Sequence, residues 1–248
     1  MIPKTIWMTY KLKFEELPDY ISNVIDTWKF FNPEWEIRYN TDEDMHSFVK
    51  KEFPEYYEIY NMCPKIVMKG DLWRYMILYK YGGVYADIDA VCNTPIEDWL
   101  KEDSDMIVAP EHVTPFLCQW TMAAAPGHPA LKCVLDLAVE RFKDLDLTRK
   151  DPVLYYTGPH LWTSGILKYY NKEVPLHFIP NIQSHQKNLI DMMSKIQDQI
   201  KKCINTSSLK PSIYCHETPI FHTDKVYHCF GGDLWKQKGY VGWKKEDS

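Results

Sequence analysis

The 248-residue chain has no Cys-x-x-Cys pair, no apolar run long enough to cross a bilayer, no excess of basic charge and no internal repeat. Each absence removes a class of protein. Seven cysteines (Cys63, Cys92, Cys118, Cys133, Cys203, Cys215 and Cys229) are odd in number and widely spaced. That pattern argues against a disulfide framework and a thiolate zinc site and fits a reducing compartment. No basic stretch followed by an apolar signal core precedes Ile2-Pro3-Lys4-Thr5-Ile6-Trp7, so a soluble protein without an integral membrane segment is expected. A formal net charge of -5 argues against a partner bound through its phosphate backbone, so nucleic acid is not an expected partner. Without a repeat, a low-complexity tract or a linker, the chain reads as one domain over residues 1–248.

What is present is apolar and aromatic material in quantity. With 45% hydrophobic and 15% aromatic residues the chain can bury a large core. Ile2 to Thr9 reads as a buried strand and Tyr20 to Trp28 as a helix ended by Asn32-Pro33. Trp35 to Tyr39 alternates like a strand, and Thr41 or Asp42 can cap the helix that follows. Lys65 to Lys80 is an unbroken helical run that stops at Gly82-Gly83, where a left-handed residue can cap it. Further strands are expected over Val84 to Ile88, Asp105 to Ala109, Leu117 to Ala124, Leu176 to Ile179 and Ile220 to His222. Further helices are expected over Pro129 to Phe142, Gly158 to Tyr170 and Gln186 to Cys203. Alternation of this kind predicts an α/β fold, a mixed sheet with helices on both faces.

Tyr81-Gly82-Gly83-Val84-Tyr85-Ala86-Asp87-Ile88-Asp89 carries the chemistry. Read as a strand, the segment puts Asp87 and Asp89 on one face with Ile88 turned away. Two carboxylates so placed repel unless water or a cation lies between them, and oxygen ligands suit Mg2+ or Mn2+. On the preceding helix, Asp71 and Arg74 are three apart and share a face. An Arg beside a carboxylate-bound cation suits a phosphate or a sugar hydroxyl, because its planar fork donates several directed hydrogen bonds.

Ile2-Pro3-Lys4, Trp28 with Asn32-Pro33-Glu34-Trp35-Glu36, and Asp71-Leu72-Trp73-Arg74-Tyr75 leading to Tyr81 through Asp89 together resemble the family 32 glycosyltransferases. That group contains initiating α-1,6-mannosyltransferases and sphingolipid mannosyltransferases and shares its Asp-x-Asp region with the clostridial glucosylating toxins. The likeness continues through Ala125-Pro126-Gly127-His128-Pro129, Thr157-Gly158-Pro159 and the His228 to Trp235 segment.

The resemblance implies a GT-A, Rossmann-like fold and a retaining hexosyltransferase that takes its sugar from a GDP- or UDP-linked donor. The acceptor would be a hydroxyl of a glycan, lipid or protein, and Mn2+ or Mg2+ the metal. Residues 1–125 would mainly bind the nucleotide sugar, with the acceptor side and C-terminal closure in 126–248. Asp87, Asp89, Arg74 and Gln119 would serve catalysis. Tyr10, Asp71, Arg74, Tyr85, Asp87 and Trp235 would bind the donor, and Asp87, Asp89 and His228 the metal. His222, Asp224 and Asp233 compete with His228 for the last place; His228 is favoured because it precedes the Phe230-Gly231-Gly232 turn and Trp235 as the family's His does. Tyr85 reads equally as a core aromatic. The family opening Ile-Pro-Lys-x-Ile-His-Gln-x-Trp is altered here to Trp7, Met8 and Tyr10, which motivates a second reading as a lapsed nucleotide-sugar or glycan binding protein. A toxin-like effector that glycosylates a protein is a third. With no anchor visible, a cytoplasmic enzyme of bacterial or viral origin is expected.

Overall fold

The computed structural model describes residues 1–101, 103–111, 114–172, 187–205, 213–215 and 226–228, with the backbone alone for 187–193, 214–215 and 226–228. The expected β-α-β-α opening is formed by β1 (Thr5–Thr9), α1 (Asp19–Phe31), β2 (Glu36–Asn40) and α2 (Asp42–Glu52). Thr41 caps α2, its hydroxyl accepting from the Asp44 N–H at 3.2 Å while Asp44 Oδ2 accepts from the Thr41 N–H at 2.8 Å. This reciprocal box satisfies two donors that a helix start otherwise leaves bare. The chain continues through α3 (Tyr57–Met62), α4 (Ile66–Tyr81), β3 (Gly83–Ala86), β4 (Ala90–Cys92), β5 (Met106–Val108) and β6 (Thr121–Ala124). After these come α5 (Pro129–Phe142), α6 (Pro152–Tyr156), α7 (Pro159–Tyr169), α8 (Lys187–Asn205), β7 (Ile213–Cys215) and β8 (Val226–His228).

Six strands form one mixed sheet in the order β2-β1-β3-β6-β5-β7, and β4 pairs with β8 in a separate two-stranded sheet. β1 runs parallel to both β2 and β3, whereas β6 is antiparallel to β3 and β5. Alternate side chains feed two separate cores. Ile6, Met8, Val84, Ala86, Ile107 and Ala123 pack with Ile21, Ile25 and Trp28 of α1. Trp7, Tyr85, Met106, Val108, Met122 and Ala124 pack against α2 to α5 and α7. The period of two along each strand thus yields helices on both faces, as the alternation predicts.

α4 is buried continuously from Gly70 to Leu78 and carries Asp71 and Arg74 into the larger core. It ends at Gly82, whose φ of 67° is left-handed and whose N–H reaches the Leu78 carbonyl at 2.8 Å. A Cβ there would fall 2.8 Å from the Ala124 carbonyl, so conformation and close packing both require glycine. The Trp7 indole closes the joint by donating to the Gly82 carbonyl at 2.8 Å. Trp7 is a core residue.

Four expected strands are shorter than the sequence predicts: β1 begins only at Thr5, β5 covers Met106–Val108, and two more are cut at one end. The segment over Val84 to Ile88 stops at Ala86, and Asp87 to Ala90 form a turn closed by the Ala90 N–H on the Asp87 carbonyl at 2.9 Å. The strand over Leu117 to Ala124 begins only at Thr121, because side chains take several of the preceding backbone groups. The Leu117 N–H goes to Thr163 Oγ1, while the Cys118 and Gln119 carbonyls accept from Trp162 and Arg74. α6 was not anticipated. The strands expected over Leu176 to Ile179 and Ile220 to His222 lie outside the described residues. Among the described residues no helix is long and apolar enough to cross a membrane. Cys63, Cys92, Cys118, Cys133 and Cys203 are free thiols.

α5 and α7 pack so closely that Gly165 lies against Val134; an added Cβ would stand 2.7 Å from the Val134 Cα, which is backbone and cannot swing aside. Gly165→Ala should therefore lower the unfolding free energy by roughly 1–3 kcal/mol in denaturant titration, despite alanine's better helix propensity.

Candidate functional site

Arg74 sits 6% exposed inside α4, and what surrounds it defines the site. Its Nη2 is 3.2 Å from Asp71 Oδ1 and 3.3 Å from Asp87 Oδ1, and its Nη1 donates to the Gln119 carbonyl at 3.2 Å. The guanidinium carbon stands 4.6 Å from the centroid of the Tyr85 ring. Its Nε, fully buried, has no hydrogen-bond partner among the described residues. An unpaired charge in such a place would be prohibitive, so the carboxylates on either side are a condition of its burial.

Each partner is itself held. Asp71 Oδ1 accepts from Gln119 Nε2 at 3.1 Å, and Asp71 Oδ2 lies 2.9 Å from Thr157 Oγ1. The Tyr75 hydroxyl bonds to Gln119 Oε1 and lies 2.8 Å from the Thr157 carbonyl. Tyr85 donates its hydroxyl to Asp87 Oδ1 at 2.5 Å while its ring packs in the core, as the core-aromatic reading expects. Burial pushes the Asp71 carboxyl up to about 6, with Arg74, Thr157 and Gln119 opposing the shift and Asp87 adding to it. Burial works against the Arg74 charge too, but Tyr85, Asp87 and Asp71 outweigh it and hold the group firmly cationic. The Tyr75 and Tyr85 hydroxyls are raised well above their ordinary range by burial and remain protonated.

The turn after β3 presents the two aspartates. Asp87 is anchored by its N–H on the Trp120 carbonyl at 2.8 Å, and the Trp28 indole holds the Ala90 carbonyl at 2.6 Å. Asp87 and Asp89 stand on a turn and not on a shared strand face, so the strand argument does not describe how they are presented. Asp89 is 7% exposed. Asp71 and Asp87 face the Arg74 guanidinium and Asp89 stands on the adjoining turn; hard oxygen donors of this kind suit a divalent cation. No group of three His, Cys, Asp or Glu side chains converges among the described residues. β8 sets His228 opposite Ala90, the residue after Asp89, although its side chain is not described.

Asp71, Arg74, Tyr85, Asp87 and Gln119 thus form one network, with Asp89 on the adjoining turn. Tyr10 follows β1, whose Trp7 pairs in parallel with Tyr85, so Tyr10 and Asp87 leave the sheet at the same edge. Its ring packs against the core on the α1 side. Trp235, His222, Asp224 and Asp233 lie outside the described residues. Tyr75 and Thr157 were not anticipated. Tyr75 is four residues after Asp71 on one helix face, a spacing that could have found it; Thr157 is joined to Asp71 across 86 residues, and its one mark in the sequence is the Thr157-Gly158-Pro159 likeness, which assigned it no role.

The raised Asp71 carboxyl sets a pH dependence. Between about 3.8 and about 6 the folded chain holds more of this proton than the unfolded chain, so the group favours folding below that window, and the benefit is lost as pH rises through 6. The unfolding free energy of the wild type minus that of Asp71→Asn should fall by on the order of 3 kcal/mol from pH 4 to pH 7, measured by denaturant titration.

Residues 18–105 match the family described as "Glycosyltransferase sugar-binding region containing DXD motif". The chain is 30% identical over 208 residues to an "Initiation-specific alpha-1,6-mannosyltransferase" of Schizosaccharomyces pombe, covering 73% of this chain and 52% of that protein. It is 26% identical over 206 residues to the protein of the same description in Candida albicans, covering 68% and 53%. The chain therefore spans about half the length of these relatives. Both are yeast proteins and give no support to a bacterial or viral origin. A solved structure titled "PaToxG Glycosyltransferase" superposes with a TM-score of 0.52 at 20% identity, covering 84% of this chain and 82% of that one. That likeness concerns the fold, which is of the GT-A α/β type. The chain belongs to the glycosyltransferase family whose mark is the sugar-binding region with the Asp-x-Asp motif, here Asp87-Ile88-Asp89.

Proposed function

We propose that the chain is a metal-dependent, retaining hexosyltransferase that moves mannose from a nucleoside-diphosphate donor to a hydroxyl of a glycan, lipid or protein acceptor. The observation that carries this reading is the buried Arg74 guanidinium held between Asp71 and Asp87 beside the Asp87–Ala90 turn. Mannose is favoured by the names of the yeast relatives. A divalent cation, Mn2+ or Mg2+, held by Asp87 and Asp89 with His228 as a further ligand, would stabilise the charge that develops on the departing diphosphate.

The chain's own residues supply orientation. Asp71 accepts from sugar hydroxyls and Arg74 donates to the sugar or the adjoining phosphate. Gln119, Thr157, Tyr75 and Tyr85 act as positioning residues: they fix the oxygens of Asp71 and Asp87 through bonds that leave little rotational freedom. Tyr10 stacks on the nucleobase at the C-terminal edge of the parallel strands, where open α/β sheets receive ligands. Trp235 is a further donor-binding residue. Residues 1–125 bind mainly the donor and 126–248 the acceptor.

The altered opening lends no weight to a lapsed binding protein, because Trp7 is accounted for by the core. The likeness to a toxin-named structure speaks only to fold.

Asp89→Ala should reduce metal-dependent hydrolysis and transfer by at least about a thousandfold with an unchanged circular dichroism spectrum. A panel of GDP-mannose, UDP-glucose and UDP-galactose with Mn2+ identifies the donor, GDP-mannose being expected to turn over. Undiminished turnover by the variant would sink the assignment.

A further inference from the structure

Arg141 and Arg149 share one aromatic ring. Their guanidinium carbons stand 4.2 and 3.7 Å from the centroid of Tyr155, and Arg141 Nη1 also donates to the Tyr155 carbonyl. Among the described residues neither guanidinium forms an ion pair with a carboxylate. Two acids close to them in sequence, Glu140 and Asp146, act on Arg141 and Arg149 through space but have their side chains bonded to other groups. Glu140 pairs with Lys168 at 2.7 Å, and Asp146 Oδ1 accepts from the Thr148 N–H and hydroxyl at 2.9 and 2.6 Å. Burial lowers the Arg141 pKa, and the like charge of Arg149 adds to that, with Tyr155 opposing. A cation–π contact stabilises one guanidinium by roughly 0.5–2 kcal/mol, but it does not neutralise two of them. An anion would, and two guanidinium forks match the oxygens of a phosphate.

The position of this pair indicates whose phosphate it is. α5 starts near the end of the sheet marked by Gly82, with the Gly127 N–H on the Tyr79 carbonyl at 2.7 Å. Its 14 residues run about 20 Å, which carries Arg141 toward the opposite edge, where the Asp87–Ala90 turn lies. Tyr155 lies in α6, two residues before Thr157, whose hydroxyl is 2.9 Å from Asp71. The connected order is Asp87, Arg74, Asp71, Thr157, then Tyr155 with the two arginines. The aspartate turn proposed for the donor diphosphate and the arginine pair thus stand at opposite ends of one polar chain.

We propose that Arg141, Arg149 and Tyr155 form a subsite for a phosphate ester carried by the acceptor. This rests on the reading of the Asp71–Arg74–Asp87 network as the donor pocket. The ester belongs either to a phosphorylated sugar or to a phospholipid headgroup, and the two sources separate in the test.

Glycerol 3-phosphate is titrated calorimetrically into the full chain, and sedimentation is followed with phosphatidylcholine vesicles with and without phosphatidylglycerol. Arg149 is exposed, so Arg149→Gln tests the subsite without disturbing the core; a second variant adds Arg141→Gln. The wild type should bind the phosphate ester, Arg149→Gln should bind about tenfold more weakly, and the double variant should not saturate. Donor hydrolysis without acceptor should be unchanged in Arg149→Gln. Added retention on phosphatidylglycerol vesicles, lost in Arg149→Gln, assigns the ester to a lipid headgroup; binding of the soluble ester alone assigns it to a sugar. A wild type that binds neither, or an Arg149→Gln protein that binds equally well, overturns the subsite. A wild type that binds the ester but hydrolyses no nucleotide sugar overturns the transferase reading and leaves the anion site standing.

Discussion

A single buried guanidinium joins the parts of this molecule that lie far apart in sequence. Arg74 reaches from the central helix to the turn after β3 through Asp87 and to the strand entry at Gln119. Through Asp71 it also reaches Thr157 at the end of α6. Because the helix around it is otherwise apolar and enclosed, no water is at hand to replace a lost partner, and each contact constrains the next. The elements are therefore arranged around a polar network as much as around the two apolar cores. The network lies at the edge where β1, β2 and β3 all end, so the fold that buries it also brings it to the surface at one place.

Tyr85 illustrates how this is done with few residues. Its ring fills the core beneath the sheet and faces the guanidinium, while its hydroxyl fixes the carboxylate two positions further along the chain. A residue with an apolar body and a polar tip can stand at the boundary of a dry interior and a polar site without cost to either. Gln119 has the corresponding role between Asp71 and Tyr75, one amide group serving both as donor and as acceptor.

Much of this was legible in the sequence where the signal is local. The helix containing Asp71 and Arg74, its arrest at Gly82 and the β-α-β-α opening follow from spacing, capping and glycine's freedom at positive φ. The joint position of Asp87 and Asp89 was legible only in part. A strand end and a turn share the same alternation over three residues, and the hydrogen bond that closes the turn leaves no mark in composition. The truncation of the strand before Thr121 depends on side chains from α4 and α7, and the bond between Thr157 and Asp71 spans 86 residues. Such contacts are products of the tertiary arrangement and have no period to detect. Trp7, whose departure from the family opening motivated the lapsed-binding reading, is a residue of the core.

The elevated Asp71 carboxyl has a consequence for the free protein. A carboxylate that would rather be protonated, enclosed next to a second one, is a local source of instability that the rest of the fold must outweigh. Anything that brings hydrogen-bond donors or positive charge to those oxygens relieves it and, binding only the folded form, raises its stability with the logarithm of its concentration. The ligand-free chain is then the weaker form of the fold, and its resistance to heat becomes a measure of what occupies the site.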